Sequence, residues 1–186
     1  MIKNTLVVLL IVSLISCGGR ISNQPANETG FKAIENELKT QFGDNAYYTN
    51  VSITYNKSIG NTVIVIVTKD PESLKMGQWN LVQDSWGQNS DVTITIPDGT
   101  RATDFMFQLN DKINLAKLGE LVEQSVEKLK TEKDLDNPTL SIANIKFPKN
   151  GDVSKTEYTI NLTPENGGTT FMFYYTLDGK LIKKNY

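Results

Sequence analysis

The chain has no histidine and a single cysteine, Cys17, in 186 residues. Without an imidazole there is no Ser-His-Asp or Cys-His nucleophile, no histidine general base and none of the usual zinc catalytic sites. One cysteine cannot close an internal disulfide, so stability must come from a packed core. No glycine loop of the P-loop or dinucleotide-binding type occurs, and the composition implies no cofactor. Positive charge is not in excess either. Nineteen Lys and Arg face 21 Asp and Glu, for a formal net charge of −2. A nucleic-acid partner, which is bound by cations that displace counterions, does not fit that balance. Long apolar runs are also missing. The longest, residues 6–15, is broken by Ser13 and is far short of the about 20 residues that span a bilayer.

What stands at the start is a short positive and then apolar segment. Lys3 is the only charge before Arg20. This is the form of a secretory signal. It ends in Leu14-Ile15-Ser16-Cys17, which resembles the lipobox of bacterial lipoproteins. The resemblance implies diacylglycerol transfer to the Cys17 thiol, cleavage after Ser16 and acylation of the new amine. Residues 1–16 are then a removed signal peptide, and Cys17 anchors the mature chain in the lipid bilayer. Two or three acyl chains anchor stably, where one does not. The resemblance also implies a site. Gly18 stands where Asp commonly retains such proteins at the inner membrane, which favours the outer membrane and its periplasmic face. Removing Lys3 takes the formal charge from −2 to −3. About 170 residues remain, enough for one ordinary core.

Residues 17–30 carry the lipidated cysteine and then a polar stretch, GGRISNQPANETG, that reads as a flexible tether. Phe31, Ile34, Leu38 and Phe42 recur at helical spacing, with Thr29 as N-cap and Gly43 as stop. Strands are expected over residues 47–55, with Val51, Ile53 and Tyr55 on one face. TVIVIVT at 62–68 is β-branched throughout, so both its faces should be at least partly covered. Residues 78–86 and 91–96 read as a hairpin around Gly87-Gln88-Asn89-Ser90. Residues 101–110 alternate through Phe105, Phe107 and Leu109 and lean to a strand. A second helix starts near Asn114, its stripe being Leu115, Leu118, Leu121, Val122, Val126 and Leu129. The phase slip between Leu140, Ile142, Ile145 and Phe147 marks a bulged strand. Tyr158, Ile160 and Leu162 alternate cleanly. Phe171, Phe173 and Tyr175 share one face, and Asp178-Gly179 signals a closing hairpin.

The expected fold is α+β. Residues 31–110 and 111–186 each form one helix followed by three or four antiparallel strands, with both helices on one sheet face. Tandem helix-then-strands units ending in FMFYYTLDG resemble PepSY-like and β-lactamase-inhibitor-like proteins of the bacterial envelope. The resemblance implies a role in binding or inhibiting proteins. It carries no site residue over to this chain.

Only carboxylates remain for acid–base work. Asp70, Asp84, Asp91, Asp98, Asp104 and Asp111 sit in turn-like contexts, where Asp is favoured for local hydrogen bonds. Asp134-Leu135-Asp136-Asn137 lacks the spacing of a calcium loop, so no metal is expected. Trp79 and Trp86 are the candidate anchors. On one regular strand their separation would put them on opposite faces, one in the core and one free to anchor a partner; with a bulge between them both are core. Tyr174, with Met172, faces away from the aromatic core side and offers a contact surface if that side is uncovered. The reading is a non-catalytic envelope module that binds a protein or peptide, as an inhibitor or assembly factor. The alternative is a carbohydrate-binding or carbohydrate-cleaving lipoprotein that uses Trp and paired carboxylates.

Overall fold

The computed structural model describes residues 20–186, so the signal segment and Cys17 lie outside the described residues. Over the described residues the protein is α+β, with two α-helices and one continuous eight-stranded antiparallel sheet. The elements are α1 (Glu28–Phe42), β1 (Tyr47–Asn56), β2 (Gly60–Thr68), β3 (Lys75–Val82), β4 (Ser85–Thr93), α2 (Leu115–Lys133), β5 (Thr139–Lys146), β6 (Glu157–Thr163), β7 (Phe171–Thr176) and β8 (Leu181–Asn185). The strand order is β4-β3-β2-β1-β5-β6-β7-β8, which leaves β4 and β8 as the edges.

Period-two patterning explains the main core. Val63, Val65 and Val67 of β2, Tyr158, Ile160 and Leu162 of β6, and Phe171, Phe173 and Tyr175 of β7 are all buried, together with the helix stripes. Burial of each such side chain is worth about 1.5–3 kcal/mol. The alternate residues of β2, Ile64 and Ile66, are half-buried on the other face. Ile66 joins a second, smaller core with Met76, Ala102 and Met106, formed where residues 94–106 fold beneath the sheet. The expected bulge in β5 falls between Leu140 and Ile142.

Four local expectations are corrected. Asn27, not Thr29, caps α1: its side chain accepts from the Gly30 amide, and the helix starts a turn earlier than its apolar stripe. The segment expected to be a free tether is docked from Ile21, in a short 3-10 turn. The hairpin expected at 87–90 instead turns at Gln83-Asp84, both in the left-handed region (φ +48° and +63°). That is the geometry of a tight two-residue hairpin, reached here without glycine. Finally, residues 101–110 are not a strand. Ala102–Phe105 is a 3-10 turn, and Phe107 makes only an isolated bridge to Tyr48. Packing of Ala102 and Met106 into the second core outweighs the alternation of the phenylalanines.

Candidate functional site

The earlier turn changes what the two tryptophans do. Trp79 pairs with Gln88, and Leu81 with Trp86, so both indoles lie on the helix side of neighbouring strands. Each meets the Phe42 ring edge-on, at 5.7 Å and 5.0 Å. The Trp86 indole N–H donates to Glu37 Oε1 at 2.9 Å. They close the rim of the core at the end of α1 and are not a free pair of anchors. The opposite-face expectation for Trp79 and Trp86 fails because a turn separates them.

Tyr174 lies on the other sheet face. The register lines up Ile64, Ser52, Asn144, Thr159, Tyr174 and Lys183 across six strands. Thr159 donates to Asn144 Oδ1 at 2.6 Å, and Ser52 donates to Asn50 Oδ1 at 3.2 Å. Lys183 Nζ stands 4.3 Å from the Tyr174 ring centroid. The Tyr174 hydroxyl points to Met172 Sδ at 3.6 Å. This is a polar ladder ending in an aromatic–cation pair. Its row holds no carboxylate.

The sheet edges differ from one another. β8 spans five residues and presents Lys183 and Lys184. Lys184 is paired with Glu132. β4 spans nine residues, SWGQNSDVT, exposed along most of its length, with neither Lys nor Pro. Lysine, proline and shortness are the usual devices that stop an edge from recruiting another strand. β8 carries two of the three and β4 none, although Asp91 and a bulge at Asn89 give β4 some protection of another kind.

Three of the carboxylates singled out in the sequence have structural partners, two local and one distant. Asp91 accepts from Gln88 at 2.7 Å, and Asp104 pairs with Arg101 at 2.7 Å. Asp84 takes both the amide and the hydroxyl of Ser22. Asp134 and Asn137 adopt left-handed backbone at the end of α2. Among the described residues, no group of three or more His, Cys, Asp or Glu is placed to hold a metal.

One buried polar cluster went unseen in the sequence. Glu35 of α1 accepts the Leu115 amide at 2.7 Å, the first N–H of α2. Its other oxygen takes Lys39 Nζ at 2.6 Å. Glu123 of α2 likewise accepts the Glu28 amide, the first N–H of α1, at 3.3 Å. Below Glu35, the Tyr158 hydroxyl donates to the Asn114 carbonyl and accepts its amide. Burial, with the Glu35 charge adding and the Asn114 bond opposing, pushes the Tyr158 phenol up to about 12. Burial, helped by Glu35, also raises Tyr48, whose hydroxyl has no hydrogen-bond partner among the described residues. The Glu35 and Tyr158 groups join the helices under the surface, while the Glu123 contact lies at the surface.

Compared with protein families, curated proteins and solved structures, the chain matches none. What it does must therefore be argued from its own surfaces.

Proposed function

We propose that this is a lipid-anchored envelope module that binds a protein or peptide without catalysis, by accepting an extended segment along β4. The single observation that carries the reading is the contrast between the two edges. β4 is long, exposed and free of lysine and proline, while β8 is short and lysine-bearing. Strand addition takes affinity from the main chain and specificity from alternate side chains. The anchor is read from Leu14-Ile15-Ser16-Cys17, and the outer membrane facing the periplasm from Gly18. Neither β4 nor the polar ladder brings together groups for chemistry, which supports an inhibitor or assembly role over an enzyme.

The two-unit organisation is part of the proposal. Its support is reciprocal. Each helix is capped by an asparagine, Asn27 or Asn114, and each first amide is taken by a glutamate of the other helix. The strand order also mirrors about the β1–β5 pair.

The test is capture from solubilised envelope with the intact lipidated protein. Asn89→Lys with Ser90→Lys gives β4 what β8 already has. We expect capture to fall by about tenfold, the equivalent of about 1.4 kcal/mol, while Lys183→Ala leaves it unchanged. Equal capture by the double-lysine variant would refute edge addition.

A further inference from the structure

We infer that the β1–β2 hairpin end of the sheet rests on the phospholipid surface. The inference depends on the Cys17 anchor proposed above and goes beyond it, because an anchor alone leaves the folded body free to stand off.

From Ile21 on, the segment is held on the folded body. Asn61, itself buried, donates to the carbonyls of Ile21 (3.1 Å) and Gln24 (2.6 Å). Asp84 holds the Ser22 amide at 2.9 Å and its hydroxyl at 3.0 Å. A Cβ on Gly60 would stand 2.0 Å from the Ser22 carbonyl oxygen, so the segment lies directly on the hairpin backbone. Only four residue steps separate Cys17 from Ile21, and fully extended they reach about 14 Å. With Cys17 acylated in the bilayer, the Ile21 docking site cannot stand farther than that from the lipid.

This same end has the chemistry of an interfacial surface. Six large apolar side chains are exposed among the described residues, and three of them, Tyr55, Ile59 and Val82, lie here. Tyr55 and Ile59 line an open groove of about 740 Å³ with Arg20 and Lys57. Arg20 is exposed and has no ion pair among the described residues. Lys57 is paired with Glu165. A tyrosine and aliphatic tips beside a cation at the rim suit the headgroup level, where an amphipathic ring and a phosphate are both satisfied. The occupant is the bilayer itself, chosen by chain length: a soluble ligand would compete with lipid held within reach by the anchor.

Because Cys17 carries the lipid, an introduced cysteine is the sole labelling site. The full lipidated protein is placed in vesicles of phosphatidylethanolamine and phosphatidylglycerol with headgroup spin-labelled lipid. A fluorophore is attached in Ile59→Cys or in Val153→Cys. Val153 is exposed in the turn between β5 and β6, at the opposite end of the strands. Quenching several-fold stronger at position 59 is expected. Equal quenching, with acyl chains present in the intact mass, would overturn the docking and leave the anchor standing. Absence of acyl mass would overturn the anchor and the docking together.

Discussion

The two helices begin in the same way at different depths. Leu115 opens α2 with its amide on Glu35, fully buried, at 2.7 Å. Glu28 opens α1 with its amide on Glu123, exposed, at 3.3 Å. Both contacts satisfy one of the unpaired amides at a helix start, and both set a negative charge against the positive end of the dipole. Water decides how much each is worth. At the surface it replaces the carboxylate, so the exposed contact adds little. Under the packed helices nothing replaces it. A matched pair of caps thus divides into one that holds the helices together and one that trims an end.

Three measurements test that division. The largest effect is expected for Glu35→Ala, which strands the Leu115 amide in the interior. It should cost about 3 kcal/mol in denaturant unfolding, since a lost charged bond adds to an unsatisfied buried donor. A loss as small as that of an ordinary surface change would break the comparison.

Next is alkaline stability. The Tyr158 phenol titrates near 12 in the folded chain and near 10 when unfolded. The unfolded state therefore releases this proton first as pH rises. The stability contribution is whole below pH 10 and is lost as pH climbs through 12, by about 2–3 kcal/mol in all. Tyr158→Phe should raise the alkaline unfolding midpoint relative to its own neutral stability. If tyrosinate absorbance shows every tyrosine ionised while circular dichroism stays native, the α2 start is not shielded as described.

The smallest effect belongs to Glu123→Ala, below about 0.5 kcal/mol and further reduced by salt. A cost approaching that of Glu35→Ala would mean that depth is not the deciding variable.

Much of the fold is legible in the sequence because local periodicity reports burial. The α2 stripe, the alternation of β2, β6 and β7, and the bulge at Leu140/Ile142 all follow from which side chains must leave water together. Met172 and Tyr174 on the face away from the helices follow from the same alternation. Both tryptophans lie on the core side, reached not through a bulge between them but through a turn that carries no glycine signal. Gln83 and Asp84 adopt positive φ, and a turn moved from 87–90 to 83–84 reassigns each side chain to a face. The contrast between the edges was equally hidden, since strand order is absent from a linear pattern.

The sequence by itself determined the near-neutral charge, the absence of imidazole chemistry and of an internal disulfide, and the α+β alternation of elements. These rest on residue identity and on contacts a few positions apart. Tertiary structure alone decided that Asp84 would hold Ser22 across 62 residues, that Asn61 would hold Ile21 across 40, and that Glu35 would cap Leu115 across 80. Each of these polar groups would read equally well as solvated surface. Pairing of the strands and packing of the helices removed water from around Asn61 and Glu35 and brought Asp84 to Ser22.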